Sequence, residues 1–159
     1  MSKVINLMNT SLKYILFLLM SALVVCVFAQ VLFRFVIEQP LAWSEELARF
    51  ILFWLTFLGA AYAMSLRAHI SIDFFVNKLP RSLHKASLVF SALISISFFY
   101  ILVTEGYTFT VRTMGQLSSA LEIPMGIVYA VIPISGVILI INIIHITIKA
   151  LFDKGGDDK

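Results

Sequence analysis

Four long stretches of this chain carry no Asp, Glu, Lys or Arg: residues 14–33, 50–66, 86–103 and 123–148. The hydrocarbon core of a bilayer, ~30 Å thick, takes about 20 helical residues at ~1.5 Å each. Each stretch is therefore read as a membrane-spanning helix. The first holds Gln30 as its single strongly polar residue, and the fourth is long enough to tilt or to begin above the membrane. The pattern predicts an all-α integral membrane protein: one four-helix membrane domain over 1–159, with short interfacial amphipathic segments. The first run passes through the small-residue site Val27-Phe28-Ala29 and continues apolar to Phe33. That length argues for a retained span over a cleaved leader.

Composition agrees with the pattern. Apolar residues make up 60% of the 159 residues and charged residues 13%, about half the charge of an ordinary soluble domain. The net charge of +3 comes from cations at the ends of apolar runs. They do not gather on one amphipathic element, which argues against nucleic acid as a partner. One cysteine, Cys26, lies inside an apolar run. It reads as a small hydrophobe, and alone it builds neither a disulfide nor a cysteine metal site.

The cations set the orientation. Lys3 and Lys13, then Arg67, Lys78, Arg81 and Lys85, then Lys149, Lys154 and Lys159 flank the spans on one side; Arg34, Arg49 and Arg112 flank them on the other. The richer side belongs in the cytoplasm. Both termini are expected there, and in a Gram-negative host loops one and three face the periplasm.

The connections carry most of the remaining signal. In loop one, Pro40 ends the preceding order, Ser44 reads as an N-cap, and Glu45 and Glu46 fall in the first turn, where the helix dipole favours anions. Arg49 stands four residues after Glu45, in the favourable orientation for a pair. Trp43 suits the membrane interface. This cluster has two readings: an interfacial helix start with solvated charges, or a fixed polar group that seats a partner protein.

Loop two interleaves apolar and polar residues from Arg67 to Pro80, as a short element lying in the membrane surface would. Arg67, His69 and Asp73 pair with one another or with lipid phosphates. Helix three is expected to run past the bilayer beyond Glu105, and 115–121 reads as a loop. Pro124 opens helix four, and Pro133 kinks it, with the freed carbonyl met by a neighbouring helix or by Ser135. Gly59 with Ala63, and Gly126 with Ala130, offer small faces for close helix packing.

No phosphate-binding glycine loop, H-E-x-x-H or G-x-S-x-G occurs, so no catalytic, cofactor or metal motif is read and an enzyme is not expected. Ion and substrate paths are usually marked by an ionisable group at membrane depth. The absence of Asp, Glu, Lys and Arg from the four runs favours a helper subunit over a self-sufficient transporter. An alternative is the haem-carrying membrane anchor of an oxidoreductase, with His69, His84 and His145 as candidate ligands.

The segment Trp43-Ser44-Glu45-Glu46-Leu47-Ala48-Arg49-Phe50 resembles a signature of the small membrane subunit of tripartite ATP-independent periplasmic (TRAP) transporters. So do Gly59-Ala60-Ala61, Arg67-Ala68-His69-Ile70-Ser71-Ile72-Asp73, and Ser119-Ala120-Leu121-Glu122-Ile123-Pro124 with Ile132-Pro133-Ile134. The resemblance implies a sodium-driven system in which a periplasmic substrate-binding protein delivers an organic acid to a large elevator-type membrane (M) subunit. The small subunit would be a static scaffold in the bacterial inner membrane, with membrane lipids around it and no substrate site of its own. It also implies that Trp43, Glu45, Glu46 and Arg49 anchor the start of helix two near those partners, and that Arg67, His69 and Asp73 fix its other end. Overall likeness extends to the version of these systems that takes up sialic acid, though no residue here visibly reads a sugar acid.

Overall fold

The computed structural model describes residues 2–39, 41–66 and 81–152. The elements are α1 (Ser2–Phe35), α2 (Ala42–Ser65), α3 (Arg81–Thr113), the short α4 (Met125–Tyr129) and α5 (Val131–Phe152). Four helical stretches are long and apolar enough to cross a membrane, with α4 and α5 together forming the fourth.

Lipid explains why such sequences are helical. α5 is crowded with Ile and Val, which are indifferent helix formers in water. In hydrocarbon every backbone N–H and C=O must be satisfied within the segment, and a helix does this. Hydroxyls follow the same rule. Thr56, Ser97, Thr108 and Thr110 each donate to the carbonyl four residues back, at 2.8–3.0 Å.

The helix ends differ from the sequence reading in three places. α1 begins at Ser2, well before residue 14, so the polar-flanked segment ahead of the apolar run is a helical extension that buries Ile5 and Leu12. At its other end α1 stops at Phe35, ahead of Pro40. The Gln39 N–H returns to the Phe33 carbonyl (2.9 Å), and Glu38 adopts the left-handed conformation at φ 58° that closes such a turn. α2 begins at Ala42 with Leu41 as N-cap, so Ser44 is not the cap. Its hydroxyl instead donates back to the Leu41 carbonyl at 2.7 Å.

The fourth span breaks at Ala130, between α4 and α5. Pro133 has no N–H to give to the Tyr129 carbonyl four residues earlier, and α4 ends at Tyr129. Ser135, wholly buried, donates to the Ile132 carbonyl at 2.9 Å and so does not rescue that freed carbonyl. α3 runs on to Thr113, as the lack of proline beyond Glu105 predicts.

In space the helices follow the order α1, α2, α5, α3, each packed on the next, with α4 lodged against α3. α1 and α3 are the outer members of this open layer. Burial follows that order: 33% of the most apolar window of the α4–α5 span is buried, 17% of α2, and 6% each of α1 and α3. Glycine permits the tightest contact. A Cβ on Gly106 would stand 2.7 Å from Ile132 Cγ2, one on Gly136 2.7 Å from Val103 Cγ2, and one on Gly126 2.5 Å from the Thr110 carbonyl oxygen. Gly126 therefore serves an internal contact. Gly59 meets nothing within 4 Å, and Ala63 beside it is exposed, so that small face of α2 is open.

Candidate functional site

The start of α2 is tied to both neighbouring connections. Its centre is Glu46, one turn into the helix. Ser119 N–H donates to Glu46 Oε1 at 3.1 Å, and the N–H groups of Ala120 and Leu121 donate to Oε2 at 2.9 and 2.8 Å. Three successive backbone amides converge on one carboxylate, a charge-assisted arrangement stronger than neutral hydrogen bonds.

The loop that offers these amides is itself constrained. Leu117 and Pro124 face each other in an antiparallel bridge, with Ser118 N–H to the Ile123 carbonyl (2.9 Å) and Met125 N–H to the Gln116 carbonyl (2.8 Å). The buried Ser118 hydroxyl accepts the Ile123 N–H at 3.2 Å. Glu122 turns the chain at φ 53°, a left-handed conformation that normally falls to Gly or Asn. Loops one and three thus lie at one end of the molecule, locked together through Glu46.

A second tie joins α1 to α2. Gln30 Nε2 donates to the Ser44 carbonyl at 2.6 Å, and Cys26 Sγ donates to the same oxygen at 3.2 Å. Gln30, the single strongly polar residue of the first apolar run, is accounted for by this contact, and buried Cys26 acts as a weak donor as well as a packed hydrophobe.

Toward the opposite end a third tie crosses the layer. Asn142 on α5 is 1% exposed. Its Nδ2 donates to the Ala61 carbonyl of α2 at 3.0 Å and to Asn9 Oδ1 of α1 at 3.2 Å, while Asn9 Nδ2 returns a bond to Asn142 Oδ1 at 3.1 Å. One side chain pins three helices. The sequence signal for it is the lone Asn of the apolar run 123–148, a polar residue without a formal charge.

The other expected site residues are distributed unevenly. Trp43 is 45% exposed, as an interfacial aromatic would be. Glu45 lies in the first turn and is exposed, and Arg49 is exposed four residues on. No ion pair joins them among the described residues, so the expected Glu45–Arg49 bridge is absent. Among the described residues, Glu46 is the one of the four whose side chain is hydrogen-bonded within the chain, while Trp43, Glu45 and Arg49 are exposed. Arg67, His69 and Asp73 lie outside the described residues, as does the amphipathic element expected over loop two. His145 is half-buried on α5.

Fold and site together define a small multi-pass membrane protein braced by its own loops. Residues 23–153 match the family described as "Tripartite ATP-independent periplasmic transporters, DctQ component", and the chain belongs to that family. It is similar to the "Sialic acid TRAP transporter small permease protein SiaQ" of Vibrio cholerae, 32% identical over 71% of this chain and 70% of the relative. It is also similar to a "Putative TRAP transporter small permease protein" of Haemophilus influenzae, 22% identical over 96% of this chain and 94% of the relative. With the "Sialic acid TRAP transporter permease protein SiaT" of H. influenzae it shares 28% identity over 74% of its length, and it spans only 19% of that longer protein. Other matching relatives are named for C4-dicarboxylate and for ectoine.

The chain is thus a transport protein, a small permease subunit of the TRAP type, and a multi-pass protein of the bacterial inner membrane. That assignment leaves no place for the haem-anchor reading.

Proposed function

We propose that this chain is the static scaffold subunit of a sodium-driven secondary TRAP transporter. In this reading it braces a large elevator-type membrane subunit, which takes an organic acid from a periplasmic binding protein, and it holds no substrate site of its own. Sialic acid is the substrate to test first, since two of the relatives above carry it in their names.

The observation that carries the reading is the state of the polar groups. Asn142, Asn9, Glu46, the Gln30 amide nitrogen and the Ser44 carbonyl are spent on bonds that tie helices and loops of this chain to one another. Groups committed in that way stiffen a layer. The same layer presents long apolar faces on α1 and α3 and an open small-residue face on α2, a shape suited to enlarging a fixed membrane platform. In this reading both termini lie in the cytoplasm, which the distribution of cations supports, and Trp43, Glu45 and Arg49 lie at the periplasmic surface near the partners.

The test is to tag the chain in its native host, extract it gently and identify what copurifies by mass spectrometry. A large polytopic protein is expected. Recovery of this chain alone across several mild detergents would contradict the scaffold role.

A further inference from the structure

We propose that the outer end of α1 and the start of α2 form a binding site for one phospholipid with a zwitterionic, primary-ammonium headgroup. A cavity of about 130 Å³ with mixed polar and apolar walls lies between these two helix ends, lined by Gln30, Arg34, Ser44 and Glu45 on its polar side and by Val31, Phe35 and Leu41 on its apolar side. Directly along α1 from it runs a shallow apolar groove of about 430 Å³ lined by Leu23, Val24, Val27, Phe28 and Val31. Val31 lines both, so the cavity and the apolar groove adjoin along α1.

Dimensions fit a single lipid. Leu23 to Val31 spans ~12 Å of helix and Leu23 to Arg34 ~17 Å. One leaflet offers ~15 Å of hydrocarbon, with roughly 5–7 Å of headgroup region above it. Arg34 stands just past the apolar run 14–33, and the exposed Trp43 stands beside Ser44 and Glu45, so the cavity lies at headgroup depth.

Charge selects the headgroup. Arg34 and Glu45 line one cavity with opposite signs, and no ion pair joins them among the described residues. A guanidinium suits a phosphate and a carboxylate suits an ammonium. A headgroup carrying both satisfies the two at once. An anionic headgroup would leave Glu45 facing like charge, and a quaternary ammonium has no N–H to donate to it. Gln30 spends its Nε2 on the Ser44 carbonyl, which leaves its Oε1 as a further acceptor for the ammonium. Val24, Val27, Phe28 and Val31 are all more than 40% exposed, so the groove that would take the acyl chain is open along its length.

The experiment uses the full-length chain, purified with whatever subunit accompanies it, stripped of lipid and titrated in native mass spectrometry with palmitoyl-oleoyl phosphatidylethanolamine, phosphatidylglycerol and phosphatidylcholine. Phosphatidylethanolamine is expected to be retained over both others. Arg34→Gln is expected to weaken its retention about ten-fold or more. Glu45→Gln, which keeps shape and removes the charge, is expected to shift preference toward phosphatidylglycerol. Val31→Trp, which fills the junction of cavity and groove, is expected to reduce retention of every headgroup. Equal retention of the three lipids, or unchanged selectivity in Arg34→Gln and Glu45→Gln, would overturn the site. So would a wild-type complex that retains no phospholipid while Val31→Trp releases the accompanying subunit, since protein would then cover the groove.

Discussion

At the scale of single residues, this chain uses neutral amides and one carboxylate where a soluble protein would use many surface charges. Asn142 makes the most interhelical bonds of any side chain among the described residues. Asn142→Leu would leave the Ala61 carbonyl and the Asn9 amide without their partner in a lipid setting. Interhelical hydrogen bonds in membranes contribute about 0.6 kcal/mol on average and up to about 1.7, and here one residue makes several. A loss of about 1–2 kcal/mol is expected, measured by unfolding in mixed micelles, with a smaller loss for Asn9→Leu. A double-mutant cycle that finds the two substitutions independent would contradict the pairing.

Glu46 governs a loop more than a core. In Glu46→Ala the amides of Ser119, Ala120 and Leu121 lose their common acceptor. Their hydrogen exchange is expected to rise by about ten-fold or more while α2 itself stays protected. Unchanged exchange in that loop would show that the bridge between 117 and 124 suffices without Glu46.

At the scale of elements, glycines separate internal contacts from open ones. Gly136→Val would drive a side chain into Val103 and part α3 from α5, at a cost of about 1–3 kcal/mol. A Cβ at Gly59 meets no atom within 4 Å, so Gly59→Val is expected to leave the stability of the isolated chain nearly unchanged while reducing copurification of a large subunit. A Gly59→Val chain that unfolds would show that this face is used internally, and one that copurifies normally would remove it from the interface.

The elements were also the most legible part of the sequence. Charge-free runs announce lipid-spanning helices because hydrocarbon tolerates little else, and all four are present. The beginning of α1 at Ser2 was hidden because the residues before Tyr14 carry Lys3 and Lys13 and stand outside the apolar run. The break at Ala130 was hidden because proline disturbs a position four residues earlier than itself. The Glu46 clasp could not be read at all. Its donors are backbone amides, which leave no mark on the sequence, and what brings them together is a left-handed Glu122 where a glycine would have given a hint. The order α1, α2, α5, α3 was equally silent, since helices apolar on every side do not declare which face is inward.

At the scale of the whole molecule, the open layer explains why so small a chain exposes so much apolar surface: lipid or a partner subunit is its proper environment. The proposed orientation is tested by single cysteines. Gln116→Cys, exposed in the loop that Glu46 clasps, is expected to react with a membrane-impermeant maleimide in spheroplasts. Lys3→Cys is expected to react only after permeabilisation, and native Cys26 is buried. The reverse pattern would invert the topology and place Trp43, Glu45 and Arg49 away from any periplasmic protein.

The most direct test of the proposed scaffold role is uptake of labelled sialic acid, the proposed substrate, into proteoliposomes under an inward gradient of sodium, the proposed driving ion, with the cognate binding protein outside. Vesicles would hold this chain alone, the large subunit alone, or both. Uptake is expected only with both present. Uptake by this chain alone, or full uptake by the large subunit without it, would contradict the scaffold role.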